Sequence, residues 1–178
     1  MRRSLIACLI CLTFPASAAA EDYAHSWLHR TLAFQYRIGA TEPLVNAPWV
    51  GTHNSFNTRT EPPTLSGEDA NQKLSLTQQL DIDVRSLELD IHNINGTPVV
   101  CHGRGADQAH FGCTTERTFA ERLTEIRDWL DAHPHQVLLL YLEDHLEGAY
   151  DAGAQMLDDV LGAKLYKPPA NTCAPMPL

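Results

Sequence analysis

The strongest constraint on the fold is an almost continuous apolar run, QVLLLYLE, at residues 136–143. Such a run is typical of a parallel strand that is buried on both faces. A helix precedes it, because Thr118 and Glu121 form a capping box and apolar residues then recur at helical spacing as far as His133. A buried strand that follows a helix predicts an α/β protein with a parallel sheet.

The rest of the chain continues this alternation of strands and helices. Further strands are predicted at 48–53, 84–91 and 98–102, and further helices at 23–38, 74–80 and 149–161. Asn95-Gly96 predicts a tight turn between two of the strands. Polar residues cluster where the strands end, which is the edge that holds the chemistry in barrels and open α/β sheets alike.

The N-terminus has the pattern of a signal peptide over residues 1–20. Arg2 and Arg3 precede an apolar run from Leu5 to Phe14, and small residues follow as far as Ala20. A membrane anchor is the alternative, but the run is shorter than the roughly 20 residues that span a bilayer. Cleavage would leave 178 − 20 = 158 residues in a secreted or periplasmic protein.

Charge and cysteine content narrow the choice of partners and of compartment. The formal charge is −9, and (13 − 2) − 22 = −11 without Arg2 and Arg3, which argues against nucleic acid as a partner. Cys101, Cys113 and Cys173 follow the signal peptide. An oxidising compartment permits a bridge between Cys101 and Cys113, and three free buried thiols are the alternative.

Four oxygen-bearing side chains form a candidate metal site. Glu88 and Asp90 project from the same face of a strand, where two buried carboxylates would repel unless a proton or a cation intervened. Asn54 and Glu143 can complete a set of oxygen ligands, which suits Ca²⁺ and, less well, Mg²⁺. The alternative is that Glu88 and Asp90 belong to a solvated strand face.

Two histidines complete the candidate chemistry. His53 and His102 each follow a strand, and a pair of imidazoles across a metal site suits proton transfer in phosphoryl chemistry. His92 and His145 lie just beyond carboxylate positions, where they either orient metal ligands or have no role. The remaining five histidines are expected at the surface: His25, His29, His110, His133 and His135.

Taken together, four segments resemble the catalytic half of the phosphoinositide-type phospholipases C, and most closely the calcium-dependent bacterial branch of the PLC-like phosphodiesterases. The segments are WVGTHNSF (49–56), VRSLELDIH (84–92), VVCHG (99–103) and LYLEDH (140–145). The resemblance implies a TIM barrel with its site at the C-terminal mouth. This chain would supply about half of the barrel at residues 21–167, followed by an irregular Pro-rich tail at 168–178.

The resemblance also implies roles for individual residues. His53 and His102 match the catalytic histidines, and the Ca²⁺ ligands match Asn54, Glu88, Asp90 and Glu143. The implied substrate is a phosphodiester, either a phosphoinositide or a glycerophosphodiester, that is cleaved by attack of an adjacent hydroxyl. Peripheral membrane contact and self-association through the open edges of a half barrel are expected with it.

Two other functions, and a third interpretation without a functional site, remain open from the sequence alone. A glycerophosphodiester phosphodiesterase shares the ExD pattern but usually begins with an HRG-like segment, where this chain has THNS. A secreted Ca²⁺-binding module would keep the ligands without turnover, and an exported α/β domain with accidental polar strand ends would have neither. Since a TIM barrel takes about 250 residues and eight strand–helix units, low or no turnover is expected from the roughly four units counted here.

Overall fold

The computed structural model describes residues 22–39, 43–59, 70–115 and 117–168. The predicted signal peptide, Cys173 and all of the predicted tail except Pro168 lie outside the described residues. Within the described ranges, no helix is both long enough and apolar enough to cross a lipid bilayer.

The described residues form four α-helices and four strands, together with short 3-10 turns. In chain order these are α1 (Trp27–Gly39), β1 (Gly51–Thr52), α2 (Leu76–Asp81), β2 (Ser86–Ile94), β3 (Thr97–Val100), α3 (Phe119–Ala132), β4 (Leu139–His145) and α4 (Tyr150–Leu161). Every predicted helix and strand is present with shifted ends, and the α/β class is confirmed. The predicted strand at 48–53 is reduced to the two residues of β1.

Strand β2 is the centre of the sheet. It pairs in parallel with β4 along residues 86–92, so that β4 occupies one of its two edges. Strand β1 pairs in parallel with residues 86–87, and β3 pairs antiparallel with residues 91–94, so these two short strands share the other edge at opposite ends. The sheet is therefore mixed: the predicted parallel pairing is present between β1 and β2 and between β2 and β4, and β3 is antiparallel.

The reversal of β3 has a local cause. Asn95 and Gly96 both adopt positive φ angles, 53° and 83°, which is the backbone of a tight hairpin turn. The tight turn predicted at Asn95-Gly96 is confirmed, and the antiparallel return of β3 follows from it.

The two faces of the sheet differ sharply in character. Leu87, Leu89 and Ile91 of β2 are buried on one face. They belong to a core cluster that includes Leu76, Leu80, Phe119, Leu123 and Ile126 from α2 and α3. Burying each large apolar side chain contributes about 1.5–3 kcal/mol, so this face anchors the sheet to its helices. The opposite face of β2 carries polar side chains.

The capping boxes set where two of these helices begin. The Thr118 hydroxyl accepts a hydrogen bond from the Glu121 N–H, and the Glu121 carboxylate accepts one from the Thr118 N–H, as predicted. Ser75 and Gln78 form a second capping box at the start of α2. Both boxes satisfy backbone donors that a helix otherwise leaves unpaired.

Strand β4 was expected to be buried on both faces, and this is wrong. Among the described residues β4 pairs only with β2, and Tyr141 is 63% exposed on the polar face. Leu140 and Leu142 of β4, and Leu138 just before it, pack against the core. The sheet is thus open at β4, which is consistent with a partial barrel.

Candidate active site

The candidate site is built on the β2–β4 pair. Asp90 is the register partner of Glu143, and His92 is the register partner of His145. Because side chains alternate along a strand, Glu88 lies on the same face as Asp90 and His92. One face of two neighbouring strands therefore carries three carboxylates and two imidazoles.

The three carboxylates converge. One oxygen from each of Glu88, Asp90 and Glu143 lies within 4.8 Å of the other two. Asp90 is almost completely buried, at 4% exposure, whereas the Glu143 side chain is 45% exposed. The group is thus enclosed at Asp90 and open to solvent on the side of Glu143.

The electrostatics of this group favour a bound cation or a proton. Burial, followed by the negative charges of Glu143 and Glu88, raises the pKa of Asp90 to about 7. His145 and His53 oppose this rise only in part. Three ionised carboxylates so close together are costly, and a divalent cation would remove that cost.

Asn54 reaches the same point from the loop after β1. Its φ of 48° is in the left-handed region, which asparagine tolerates better than most residues. Its backbone N–H donates to Glu88 Oε2 at 2.9 Å. One heteroatom of its side-chain amide lies 2.8 and 2.9 Å from the two oxygens of Asp90. With its nitrogen there the amide donates to Asp90, and with its oxygen there it adds a fourth ligand atom.

Neighbouring polar residues hold this loop in place. The Ser55 hydroxyl accepts from the Glu88 N–H at 2.9 Å, and the Ser55 N–H donates to the Glu88 carbonyl at 3.0 Å. The buried Gln79 amide donates to the Ser55 carbonyl at 2.8 Å and accepts from the Thr52 hydroxyl at 2.7 Å. Sequence reasoning missed Ser55 and Gln79 as supports. Ser55 lies within the THNS segment, but its burial, which marks it as a support of the loop, cannot be read from the sequence.

His53 lies at the rim of the carboxylate group. Its ring Nε2 is 3.5 Å from Glu88 Oε2, and the side chain is 69% exposed. The His53 carbonyl accepts a hydrogen bond from the Gln72 side chain at 2.6 Å. The backbone is therefore tethered, while the imidazole faces solvent above the candidate metal position.

The position of His102 in the sheet differs from the predicted one. It follows β3, which runs antiparallel, so it does not stand at the C-terminal end of a parallel strand. The hairpin instead carries the chain back, and the Cys101 N–H donates to the Asp90 carbonyl at 3.3 Å. Cys101 forms a disulfide with Cys113, with 5.1 Å between their Cα atoms. This confirms the predicted bridge rather than the alternative of free thiols.

A cluster of three imidazoles borders the carboxylates. The His145 Nε2 is 3.0 Å from Glu143 Oε1, and its ring stacks on His92 at 4.4 Å between centroids. Burial, followed by the positive charges of the neighbouring histidines, lowers the pKa of His92 to about 4. Of the two roles left open for His145, contact with a proposed metal ligand is the one that the geometry favours.

Two histidines expected at the surface are not there. The side chain of His110 is only 14% exposed, and its Nδ1 lies 3.0 Å from Nδ1 of His92. His29 is partly buried, with its Nδ1 2.7 Å from Asp83 Oδ2. Both positions depend on contacts with residues distant in sequence, which local patterns do not reveal.

Two known proteins are similar to this chain in sequence. The chain is 46% identical to the uncharacterised protein Rv2075c of Mycobacterium tuberculosis strain H37Rv, over 96% of this chain and 40% of that protein. It is 28% identical to the PI-PLC X domain-containing protein At5g67130 of Arabidopsis thaliana, over 58% of this chain and 25% of that protein.

A solved structure has a similar fold. The structure concerns membrane binding by a phosphatidylinositol-specific phospholipase C of S. aureus, and it matches with a TM-score of 0.52 at 15% sequence identity. The match covers 67% of this chain and 37% of that one. The chain thus spans well under half the length of these relatives, and the likeness to the solved structure concerns the fold.

The family itself follows from the match of the chain to a family model. The Rv2075c PI-PLC-like domain family matches residues 10–177, which include both strands of the candidate site and the loops that carry His53 and His102. This chain therefore belongs to the Rv2075c PI-PLC-like domain family.

Proposed function

We propose that the site is that of an exported, Ca²⁺-dependent phosphodiesterase that cleaves a phosphodiester by attack of a hydroxyl on the same substrate. The observation that carries the proposal is the convergence of Glu88, Asp90 and Glu143 oxygens within 4.8 Å of one another. Asn54 and His53 lie against this group, so ligand oxygens and a proton-transfer group occur together.

The donor set fits a hard divalent cation. All of the candidate ligand atoms are oxygens, from three carboxylates and the Asn54 amide, and oxygen ligation is what Ca²⁺ prefers. Asp90, whose pKa is raised to about 7, gains most from a neighbouring positive charge. Bound Ca²⁺ would neutralise charge on the phosphodiester and lower the pKa of the attacking hydroxyl.

The residues of the chain supply the proton transfers. His53 is exposed at the rim and lies 3.5 Å from Glu88, so it is placed to accept a proton from a substrate hydroxyl or to stabilise charge nearby. His102 directly follows Cys101, whose N–H donates to the Asp90 carbonyl, and in this proposal it donates a proton to the leaving oxygen. A cyclic phosphodiester is the expected product when the attacking hydroxyl is adjacent to the phosphate.

We propose phosphatidylinositol as the substrate to test first, with peripheral contact to a lipid surface. The high negative charge of the chain opposes binding to anionic lipid, so Ca²⁺ would have to bridge the two surfaces. Export is supported by the N-terminal sequence pattern and by the Cys101–Cys113 bridge, since disulfides persist in oxidising compartments.

A second candidate function is a Ca²⁺-binding module without turnover. The observation that favours it is that β4 has an unpaired outer edge among the described residues and that Tyr141 is exposed, as expected of an incomplete barrel. The same open edge supports self-association of the chain through β4.

One experiment separates these functions. The purified chain is incubated with vesicles containing phosphatidylinositol, with Ca²⁺ or with a chelator, and the phosphorus products are identified by NMR. Slow, Ca²⁺-dependent formation of a cyclic inositol phosphate is expected, and Asp90→Asn should abolish it, while the exposed Asp151→Asn should not. If calorimetry detects Ca²⁺ binding but no product forms, the function that remains is the Ca²⁺-binding module. If the chain does not bind Ca²⁺, both functions are refuted.

A further inference from the structure

A second group of ligand atoms lies beside the candidate active site and shares none of its proposed ligands. A ring nitrogen of His92 and the sulfurs of Cys101 and Cys113 lie within 4.8 Å of one another. His92 is completely buried, and Cys101 is buried at the end of β3. The two sulfurs are joined as a disulfide, which has little affinity for metals until it is reduced to thiolates.

The hydrogen bonds of the imidazole cluster define the state of the His92 ring. The Glu147 carboxylate lies 3.2 Å from His110 Nε2, so a neutral His110 carries its proton on Nε2 and has a lone pair on Nδ1. His110 Nδ1 then accepts from His92 Nδ1, 3.0 Å away. The remaining nitrogen, His92 Nε2, keeps its lone pair and is buried without a hydrogen-bond partner among the described residues.

An unpartnered buried nitrogen is costly, and it is also the form of histidine that binds a metal. The carboxylate–histidine chain behind it, from Glu147 through His110, is the arrangement that orients and strengthens a metal-binding imidazole. His92 therefore offers an unpartnered ring nitrogen, and one nitrogen of the same ring lies within 4.8 Å of both sulfurs.

Backbone contacts keep the sulfurs together independently of their bond. The Cys113 N–H donates to the His110 carbonyl at 2.9 Å, and the Arg104 N–H donates to the Phe111 carbonyl at 2.9 Å. Gly103 packs so closely on Cys113 that a side chain at Gly103 would come within 2.8 Å of the Cys113 nitrogen. The loop from 103 to 113 is thus closed by its own packing, so the two thiols would remain neighbours after reduction.

We propose that the reduced form of this chain binds Zn²⁺ through Cys101, Cys113 and His92. A dithiol reductant supplies two electrons, the Sγ–Sγ bond breaks, two thiols form, and the reductant becomes a disulfide. Each thiol releases one proton as Zn²⁺ binds. Two thiolates and a neutral imidazole with Zn²⁺ carry (+2) + 2(−1) = 0 net charge, which suits a buried position, and the fourth coordination position is left to water.

The test uses Co²⁺ as a spectroscopic substitute for Zn²⁺. Cys8, Cys11 and Cys173 lie outside the described residues and would also offer thiolates, so the full chain carrying Cys8→Ser, Cys11→Ser and Cys173→Ser is the starting protein. Co²⁺ is added to this protein before and after treatment with a dithiol reductant, under anaerobic conditions. Thiolate-to-cobalt charge-transfer absorption in the near ultraviolet is recorded, and Zn²⁺ is then added to displace the Co²⁺.

The reduced protein should develop the thiolate–cobalt absorption, and the oxidised protein should not. Cys113→Ser should remove most of the absorption, and His92→Gln should weaken Co²⁺ binding at least tenfold, because loss even of a residue that supports a ligand costs about 10–100-fold. Asp151→Asn, a change in the first turn of α4, should leave the absorption unchanged. The proposal would be overturned if the reduced starting protein showed no thiolate–cobalt absorption. It would also be overturned if the oxidised protein showed the same absorption as the reduced one.

Discussion

Asp90 and Glu143 are direct register partners across the parallel β2–β4 pair, although 52 residues separate them in the chain. Their carboxylate oxygens meet one from Glu88 within 4.8 Å. A shift of one residue in this register would turn Glu143 to the core face and break the group. The pairing of β4 with β2 is therefore what makes a cation site on this sheet geometrically possible.

Loss of the buried carboxylate should weaken Ca²⁺ binding. Asp90→Asn removes the ligand that is enclosed between Glu88, Glu143 and Asn54, and the expected fall in Ca²⁺ affinity is at least about tenfold. Isothermal titration calorimetry measures it. Asp151→Asn, which removes the same charge from an exposed position in the first turn of α4, is the matched control and should bind Ca²⁺ as the parent chain does. Equal affinities in the two variants would exclude Asp90 as a ligand.

Ca²⁺ binding should depend on pH through Asp90. The pKa of this group is raised from 3.8 to about 7, so below pH 7 the metal-free site holds a proton that Ca²⁺ must displace. Affinity should therefore fall by up to about tenfold for each pH unit below 7 and level off above it. Calorimetry between pH 5 and 8, in buffers of different ionisation enthalpy, reports both the affinity and the released proton.

The raised pKa of Asp90 also makes the stability of the metal-free chain depend on pH. In the folded, metal-free chain Asp90 keeps its proton between its ordinary pKa of 3.8 and about 7, whereas the unfolded chain has released it. The contribution of Asp90 to metal-free stability is thus present below pH 3.8 and is lost as pH rises to about 7. Melting temperatures with and without Ca²⁺ should diverge more at pH 8 than at pH 5, and equal divergence would contradict the assignment.

Removing one catalytic imidazole should separate turnover from metal binding. On the proposed function, His102→Ala should reduce kcat by about 10²–10⁴-fold, the typical contribution of general acid catalysis, and leave Ca²⁺ affinity unchanged. The control is His135→Ala, an exposed imidazole in the connection between α3 and β4. If the His102→Ala variant retained the full kcat of the parent chain, the proposed role of His102 would be refuted.

The loop that carries His53 and Asn54 should depend on a buried amide. Gln79 is 2% exposed and hydrogen-bonds to Ser55, Leu74 and Thr52. Gln79→Ala leaves buried carbonyls unsatisfied and should lower the free energy of unfolding by about 1–3 kcal/mol, with weaker Ca²⁺ binding as the loop loosens. Urea unfolding gives the stability. Gln155→Ala on the exposed face of α4 should change it by less than about 0.5 kcal/mol.

The open edge of β4 should govern association of the chain. Tyr141→Lys places a charge on an exposed edge strand, a substitution that natural proteins use to block pairing of edges. Sedimentation velocity should show fewer dimers in this variant than in the parent chain at the same concentration. Tyr150→Lys, at a tyrosine of comparable exposure on α4, should associate as the parent does. A parent chain that stays monomeric at all concentrations would exclude association through β4.

Local patterns in the sequence were enough for much of this molecule. The capping boxes at Ser75 and Thr118, the Asn95-Gly96 turn and the alternation that puts Glu88 and Asp90 on one face all act over a few residues. Motif order, from THNS to LEDH, was enough to indicate the family. These features are read correctly because the backbone geometry that causes them is set by neighbours in the chain.

Only the tertiary structure decided which distant groups meet. The β2–β4 register places Glu143 opposite Asp90, the hairpin returns Cys101 to the Asp90 backbone, and His110 turns inward to join His92. Gln79 supports the His53 loop from another helix, and β4 keeps one edge unpaired among the described residues. The physical reason is that strand register and side-chain burial depend on how well whole faces pack against one another, and that packing is settled between segments that do not adjoin in sequence.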